Sequence, residues 1–191
     1  MMVGYPTKKV YQAPMHVNLG SRGMALEEAI NESNAYYLAI DKAIIYKKPT
    51  PIQIVHVDYK SRATARIDEA YFRTPSTTDY NGIYRGKYID FEAKQIQSKK
   101  SFPLQFIHKH QVEHLKRIVE HGGIGFVLLQ FSSYQETYLI DAKDIIEKYE
   151  APSCKSLSYV WVKEVGHLVK QRIRPLLDYL EVVDKVYFEG E

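Results

Sequence analysis

The chain has 191 residues, of which 45% are hydrophobic and 13% aromatic, with a formal net charge of +3 and a single cysteine, Cys154. This composition excludes a disordered chain and an intramolecular disulfide scaffold, and the length suits one domain with a real core. The mild positive charge permits nucleic-acid binding through a local basic patch. The lone cysteine, with neither an apolar leader core nor a run of about 18 apolar residues, fits a reducing, cytoplasmic setting with no membrane partner.

Residues 1–19 contain Gly4, Pro6, Lys8, Lys9 and Pro14 without a sustained period, and read as a flexible arm. A helix is predicted over 21–39, with Ser21 or Gly23 near its N-cap and Leu26, Ile30, Tyr37 and Leu38 as apolar positions. Arg22 opposes the dipole at that helix start, which a phosphate partner would explain. Glu27 would reach a metal site if the helix packs beside the hairpin described below, and is otherwise a solvated helix glutamate.

Strands are predicted at 43–46 and 52–57. Between them Lys47-Lys48-Pro49-Thr50-Pro51 combines prolines, which cannot donate to a ladder, with lysines expected at the surface and able to meet phosphate. The basic segment 58–66 carries Lys60, Arg62 and Arg66 and precedes the aromatic run at Ala70, Tyr71 and Phe72. Two strands joined by a basic turn would make a ribbon able to enter a groove or gap in DNA, or an ordinary surface hairpin.

The stretch 79–94 is the most informative. A Gly-containing pair, Arg85-Gly86, between Tyr- and Ile-rich runs signals a two-residue hairpin loop. Tyr84 then faces Lys87, Ile83 faces Tyr88, and Asp79 faces Glu92. Opposed carboxylates are unfavourable unless a positive group lies between them, and a hard divalent cation such as magnesium suits carboxylate oxygens. Alternation puts Tyr88, Asp90, Glu92 and Lys94 on one face and Ile89, Phe91 and Ala93 on the other. An acid followed by Glu-x-Lys is the arrangement of metal-dependent nucleases, where the acids hold the metal and the lysine positions or activates water. The tripeptide alone is common, so the hairpin register carries the reading.

Beyond it, a helix is predicted over 108–120 and stopped by Gly122-Gly123, with Val112, Leu115, Ile118 and Val119 as its buried stripe. Strands follow at 124–131 and 137–140, then helices at 141–149 and 158–165 and a last helix after Pro175. His110 and His114 lie one turn apart, but with His108 at the helix start and no Cys pair or His-Glu-x-x-His pattern, zinc is disfavoured. Gln111 in the same turn would bond a metal-held water or a phosphate. Neither a phosphate-cradling Gly-rich loop nor a Gly-x-Ser-x-Gly elbow is present.

Several segments resemble the RecU family of Holliday-junction resolvases. They are Ser21-Arg22-Gly23-Met24, Lys47 through Val55, Glu69-Ala70-Tyr71-Phe72, Ser76 through Gly82, Tyr88 through Lys94, and Ser101-Phe102-Pro103-Leu104. The resemblance implies an α/β, restriction-endonuclease-like mixed sheet flanked by helices, with a nuclease domain over 20–191 and a protruding β-ribbon stalk at about 58–72. It further implies a two-fold homodimer that binds and cuts four-way junctions, and engagement of the recombinase RecA. Magnesium, for which manganese would substitute, would be held by Asp79 and Glu92, with Thr78 nearby, Glu27 at the position of the family's helix glutamate, and Lys94 supporting the attacking water. Arg22, Lys47 and Arg62 would meet DNA, joined by Lys60 at the stalk tip. Two departures stand out: Tyr59-Lys60-Ser61-Arg62 replaces Tyr-Pro-Lys-Arg, and Gln95-Ile96-Gln97 replaces Glu-Thr-Lys.

Overall fold

The computed structural model describes residues 26–61, 63–73 and 77–189. The predicted arm at 1–19, the helix start with Arg22, and Arg62 lie outside the described residues. Helix α1 (Leu26–Ala39) is followed by β1 (Ile44–Lys47), then by the antiparallel pair β2 (Ile52–Asp58) and β3 (Arg66–Phe72). Next come β4 (Tyr80–Tyr84), β5 (Lys87–Ile96), the short β6 (Ser101–Pro103) and a single 3-10 turn at Leu104–Phe106. Helix α2 (Lys109–Glu120), β7 (Ile124–Phe131), β8 (Glu136–Asp141), α3 (Ala142–Glu150), β9 (Ser156–Ser158), α4 (Tyr159–Val165), β10 (His167–Val169) and α5 (Tyr179–Tyr187) complete the order.

A six-stranded mixed sheet runs β1-β4-β5-β7-β8-β10, antiparallel at every junction except β5 against β7. That one parallel pair needs a crossover, which α2 supplies. Helices cover both faces, so β7 reads as the apolar run Ile-Gly-Phe-Val-Leu-Leu-Gln-Phe and is buried throughout. On one side Ile30 and Tyr37 of α1 and Leu180 and Val183 of α5 pack on Ile89, Phe91, Phe126 and Leu128. On the other, Val112 and Leu115 of α2, Ile145 of α3 and Val162 of α4 pack on Val127, Leu129 and Ile140.

The β4–β5 hairpin has the expected register, with Tyr84 opposite Lys87, Ile83 opposite Tyr88 and Tyr80 opposite Phe91. Its two-residue loop places Arg85 at φ 48° and Gly86 at φ 75°, the left-handed pair whose twist matches the flanking strands. On the helix α1 side, Tyr80, Phe91 and Phe126 stack across three adjacent strands at centroid spacings of 4.9 and 4.7 Å. With Phe91 locked there, Asp90 and Glu92 must point to the opposite face, beneath α2.

In its secondary structure and burial the chain departs from the sequence expectation at several places. The strands β6, β9 and β10 are three residues each, too short for a periodic signal. Strand β5 runs on to Ile96, past the point where its sequence turns polar. The last helix starts at Tyr179, several residues after Pro175, because Gln171 bridges to Leu177 first. Leu38, expected on the buried stripe of α1, is 43% exposed. Among the described residues no helix is long and apolar enough to cross a membrane.

Candidate active site

Asp79 immediately precedes β4, where the ladder to β5 ends at Tyr80 opposite Phe91. Its carboxylate takes over the next ladder position: Oδ2 accepts the backbone N–H of Ala93 at 3.2 Å. Its own carbonyl accepts the Lys48 N–H at 2.7 Å, tying it to the turn after β1. Asp79 is thus held by its neighbours on both sides while one carboxylate oxygen, Oδ1, stays outside this bonding.

Glu92, on β5, is fully buried. Lys94, two positions along the same face, places Nζ 2.6 Å from Glu92 Oε1 and keeps 21% of its side chain exposed. Despite that proximity, neither Glu92 oxygen has a properly directed hydrogen-bond donor among the described residues. Burial first, and then the adjoining Asp79 carboxyl within hydrogen-bonding reach, push Glu92 up to about 8, with Lys94 pulling the other way. A buried carboxylate with undirected oxygens beside a second acid fits a hard cation on the pair. The sequence-predicted trio of Asp79, Glu92 and Lys94 therefore shares one pocket.

The remaining predicted residues are placed differently. Thr78 directs its hydroxyl to Asp90 Oδ1, away from the Asp79–Glu92 pair. Glu27 forms an ion pair with Lys47 at the surface, so each occupies the other's charge. Gln111 is buried in the first turn of α2, where Oε1 accepts the His108 N–H at 2.9 Å and caps the helix. Lys60 lies at the open end of the β2–β3 pair with its side chain 80% exposed and 4.0 Å from Asp58. The three histidines diverge: His108 and His110 stack at 5.5 Å, while His114 Nε2 lies 3.1 Å from Asp90 Oδ2. Burial, then His108 and Lys94, hold the His110 ring below the ordinary imidazole value, and its buried Nε2 has no hydrogen-bond partner among the described residues.

Sequence reasoning assigned no role to Asp90 and expected Lys48 at the surface. In the structure Asp90 is fully buried and gathers Thr78, Lys48, Tyr88 and His114. Lys48 is turned inward, a correction with a plain cause: the fully buried Asp90 carboxylate lies beneath the turn, 2.7 Å from its ammonium. The alternation along β5 was the available signal, since it placed Asp90 on the same face as Glu92.

A family model described as "Recombination protein U" matches residues 21–185. This chain belongs to the RecU family. Curated RecU relatives, each called a Holliday junction resolvase, span nearly the same length. That of Bacillus cytotoxicus is 46% identical over 98% of this chain and 100% of its own. That of Geobacillus sp. is 47% identical over 98% and 99%, and that of Shouchella clausii 52% identical over 89% and 83%. Among solved structures, the archaeal Holliday junction resolvase Hjc of Archaeoglobus fulgidus aligns over 54% of this RecU chain and 78% of its own, at 15% identity and a TM-score of 0.35.

Proposed function

We propose that this chain is a magnesium-dependent endodeoxyribonuclease that binds four-way DNA junctions as a homodimer and resolves them by paired symmetric nicks in recombination and repair. The carrying observation is the convergence of Asp79, Glu92 and Lys94 on one pocket, two acids and an ammonium with the Glu92 oxygens left undirected. RecU relatives at 46–52% identity bear the name of that activity.

In this reading Asp79 and Glu92 hold the ion, which manganese can replace. Magnesium bound there would polarise the scissile phosphate and lower the pKa of a water it carries. The Ala93 N–H and the Lys48 N–H keep the Asp79 carboxylate and main chain in place. Lys94 orients the attacking water and offsets negative charge as it develops on the phosphate. Hydrolysis leaves a 5′-phosphate and a 3′-hydroxyl. Two matched cuts on a symmetric junction require two sites related by a two-fold axis, hence the homodimer.

The sheet with a parallel central pair and flanking helices suits a restriction-endonuclease-like nuclease domain. The β2–β3 pair, exposed along nearly its whole length, suits a stalk reaching into the junction, with Lys60 at its open end. Arg22, Lys47 and Lys60 would meet phosphates, and RecA and a cytoplasmic, nucleoid-associated location follow from the same reading.

The test is cleavage of a four-way junction against a linear duplex of the same sequence. Selective junction cutting is expected, and equal rates would replace resolution by general duplex cleavage. Asp79→Asn should bind the junction as tightly as wild type and not cut it; unchanged cutting would move the chemistry elsewhere. A wild-type protein that binds but never cuts would make the chain a junction-binding modulator of recombinase.

A further inference from the structure

Two stretches of the chain, 93–112 and 151–163, contain no aspartate or glutamate, although these acids make up 23 of the 191 residues. The fold joins them. Strand β6 pairs with β9, Ser101 opposite Ser158 and Pro103 opposite Ser156, in a small antiparallel ladder separate from the main sheet. Phe102 and Leu157 at its centre are buried in the core beneath α2, so Ser156 and Ser158 face outward. The ladder is rooted at the proposed active site: β6 follows the loop that leaves Lys94, and the chain then returns through Leu104–Phe106 to the first turn of α2, where the Lys94 charge acts on His110.

At one end of the ladder stand Lys99 and Lys100, and at the other Lys155, all three exposed. The main chain that carries them is fixed. The carbonyls of Ile96, Gln97, Lys99 and Lys100 accept, in turn, the Ser132 N–H at 2.9 Å, the Ser133 hydroxyl at 2.6 Å, the Tyr134 hydroxyl at 3.2 Å and the Tyr159 N–H at 2.8 Å. The Lys155 carbonyl accepts the Leu104 N–H at 3.0 Å. The ammonium groups are not tied down in the same way. Lys47, Lys60, Lys116, Lys170 and Lys185 each have an acid within 4.0 Å, whereas Lys99, Lys100 and Lys155 form no ion pair among the described residues.

We propose that the β6–β9 ladder is a phosphate track that grips the duplex arm beside the cut, through Lys99 and Lys100 at one end and Lys155 at the other. The proposal rests on the nuclease site at Asp79, Glu92 and Lys94, and adds where the substrate lies beyond the scissile phosphate. Unpaired ammonium groups on a fixed, acid-free backbone attract a polyanion without first breaking an internal ion pair. The rise from Lys155 to Tyr159 covers roughly 13 Å, about the length of four nucleotides along one strand. Phosphate contacts fix position and read no base, so the track supplies affinity and orientation and leaves sequence preference to other groups.

The experiment titrates the full chain against a four-way junction in gel shifts between 50 and 200 mM salt, without added divalent ions. Lys99→Met, Lys100→Met and Lys155→Met combined should flatten the log–log slope by about 2.7, at about 0.9 per lost phosphate contact. Lys155→Met alone should flatten it by about 0.9. The corresponding three arginine substitutions, which keep the charge, and Lys116→Met, which removes an ion-paired lysine, should leave it unchanged. Neutral methylphosphonate linkages in the arm strands, placed within four nucleotides of the crossover, should cost the wild type more affinity than the triple variant. An unchanged slope in a triple variant with a native circular dichroism spectrum, or neutral linkages that cost both proteins equally, would overturn the proposal. If the triple variant does not fold, Lys155→Met decides. A wild type that cuts junctions while the triple variant keeps the full slope sinks this inference alone; slope loss in a protein that never cuts sinks the proposed nuclease alone.

Discussion

Glu92 is where the physical tension of the site is concentrated. Its folded-state value, pushed up to about 8 by burial and by Asp79, lies above its ordinary 4.5. The group's contribution to stability is then fully present below pH 4.5 and is lost as pH rises through 8. Metal-free wild type should accordingly lose melting temperature relative to Glu92→Gln as pH is raised across that window. Magnesium at the proposed site would have to displace the proton at the low end, so the melting shift it produces should grow with pH and level off above about 8. A shift independent of pH would mean that Glu92 is already ionised without the ion. Lys94 acts on the same pocket from its more exposed side. Lys94→Met should leave junction affinity intact in a gel-shift titration and reduce the cutting rate by about 10²–10³-fold, as loss of one charge-stabilising donor does.

Strands β4 and β5 bring the acids together, and what holds that hairpin against β1 is a close backbone approach at Gly82. A Cβ there would lie 2.1 Å from the carbonyl oxygen of Ile44 and 2.6 Å from Cα of Ile45, both main-chain atoms that cannot rotate away. Gly82→Ala should therefore destabilise the fold by about 3 kcal/mol, read as a melting temperature lower by roughly 6–12 °C. The hairpin was also the most legible part of the chain. Its turn pair and its alternation are local properties, and they fixed the register that sets Asp79 beside Glu92. The long helices and β7 were legible for a related reason, since several turns or a continuous apolar run outweigh local noise. Asp90 was not legible as the centre of a network, because its cross-strand partner, Asn81, donates to the Tyr88 hydroxyl and not to Asp90 itself. Its partners Lys48 and His114 come from 42 and 24 residues away, and nothing in a local pattern reports such contacts. Lys48 was misread for the same reason: a Lys-Lys-Pro turn looks solvated until the anion beneath it is known. At the ribbon, Arg62→Ala should weaken junction binding without altering the melting curve. Its salt dependence should flatten by about 0.9 in log–log slope if one phosphate contact is lost.

At the level of the assembled molecule, the proposed homodimer assigns one strand to each active site. Mixed dimers of wild type with Asp79→Asn should then nick junctions once without separating them, detected as nicked junction in native gels and a single cut strand in denaturing gels. Full resolution by such mixed dimers would argue that one site visits both strands. The sheet and its helices bury two extensive cores, whereas Val57, Ile67, Tyr71 and Phe72 of the β2–β3 pair stay largely exposed. A two-stranded ribbon without a packed face is marginal by itself, and a register shift around His56 interrupts its ladder. Its amide protons should trade with deuterium through local opening long before those of β5 and β7, making the ribbon a separate low-stability unit on a rigid base. Such an appendage gives up ordering entropy only when a ligand grips it. Junction DNA should slow its deuterium uptake selectively, and the entropic cost of that ordering offsets part of the gain from gripping the ribbon, a cost not incurred by DNA that leaves the ribbon free.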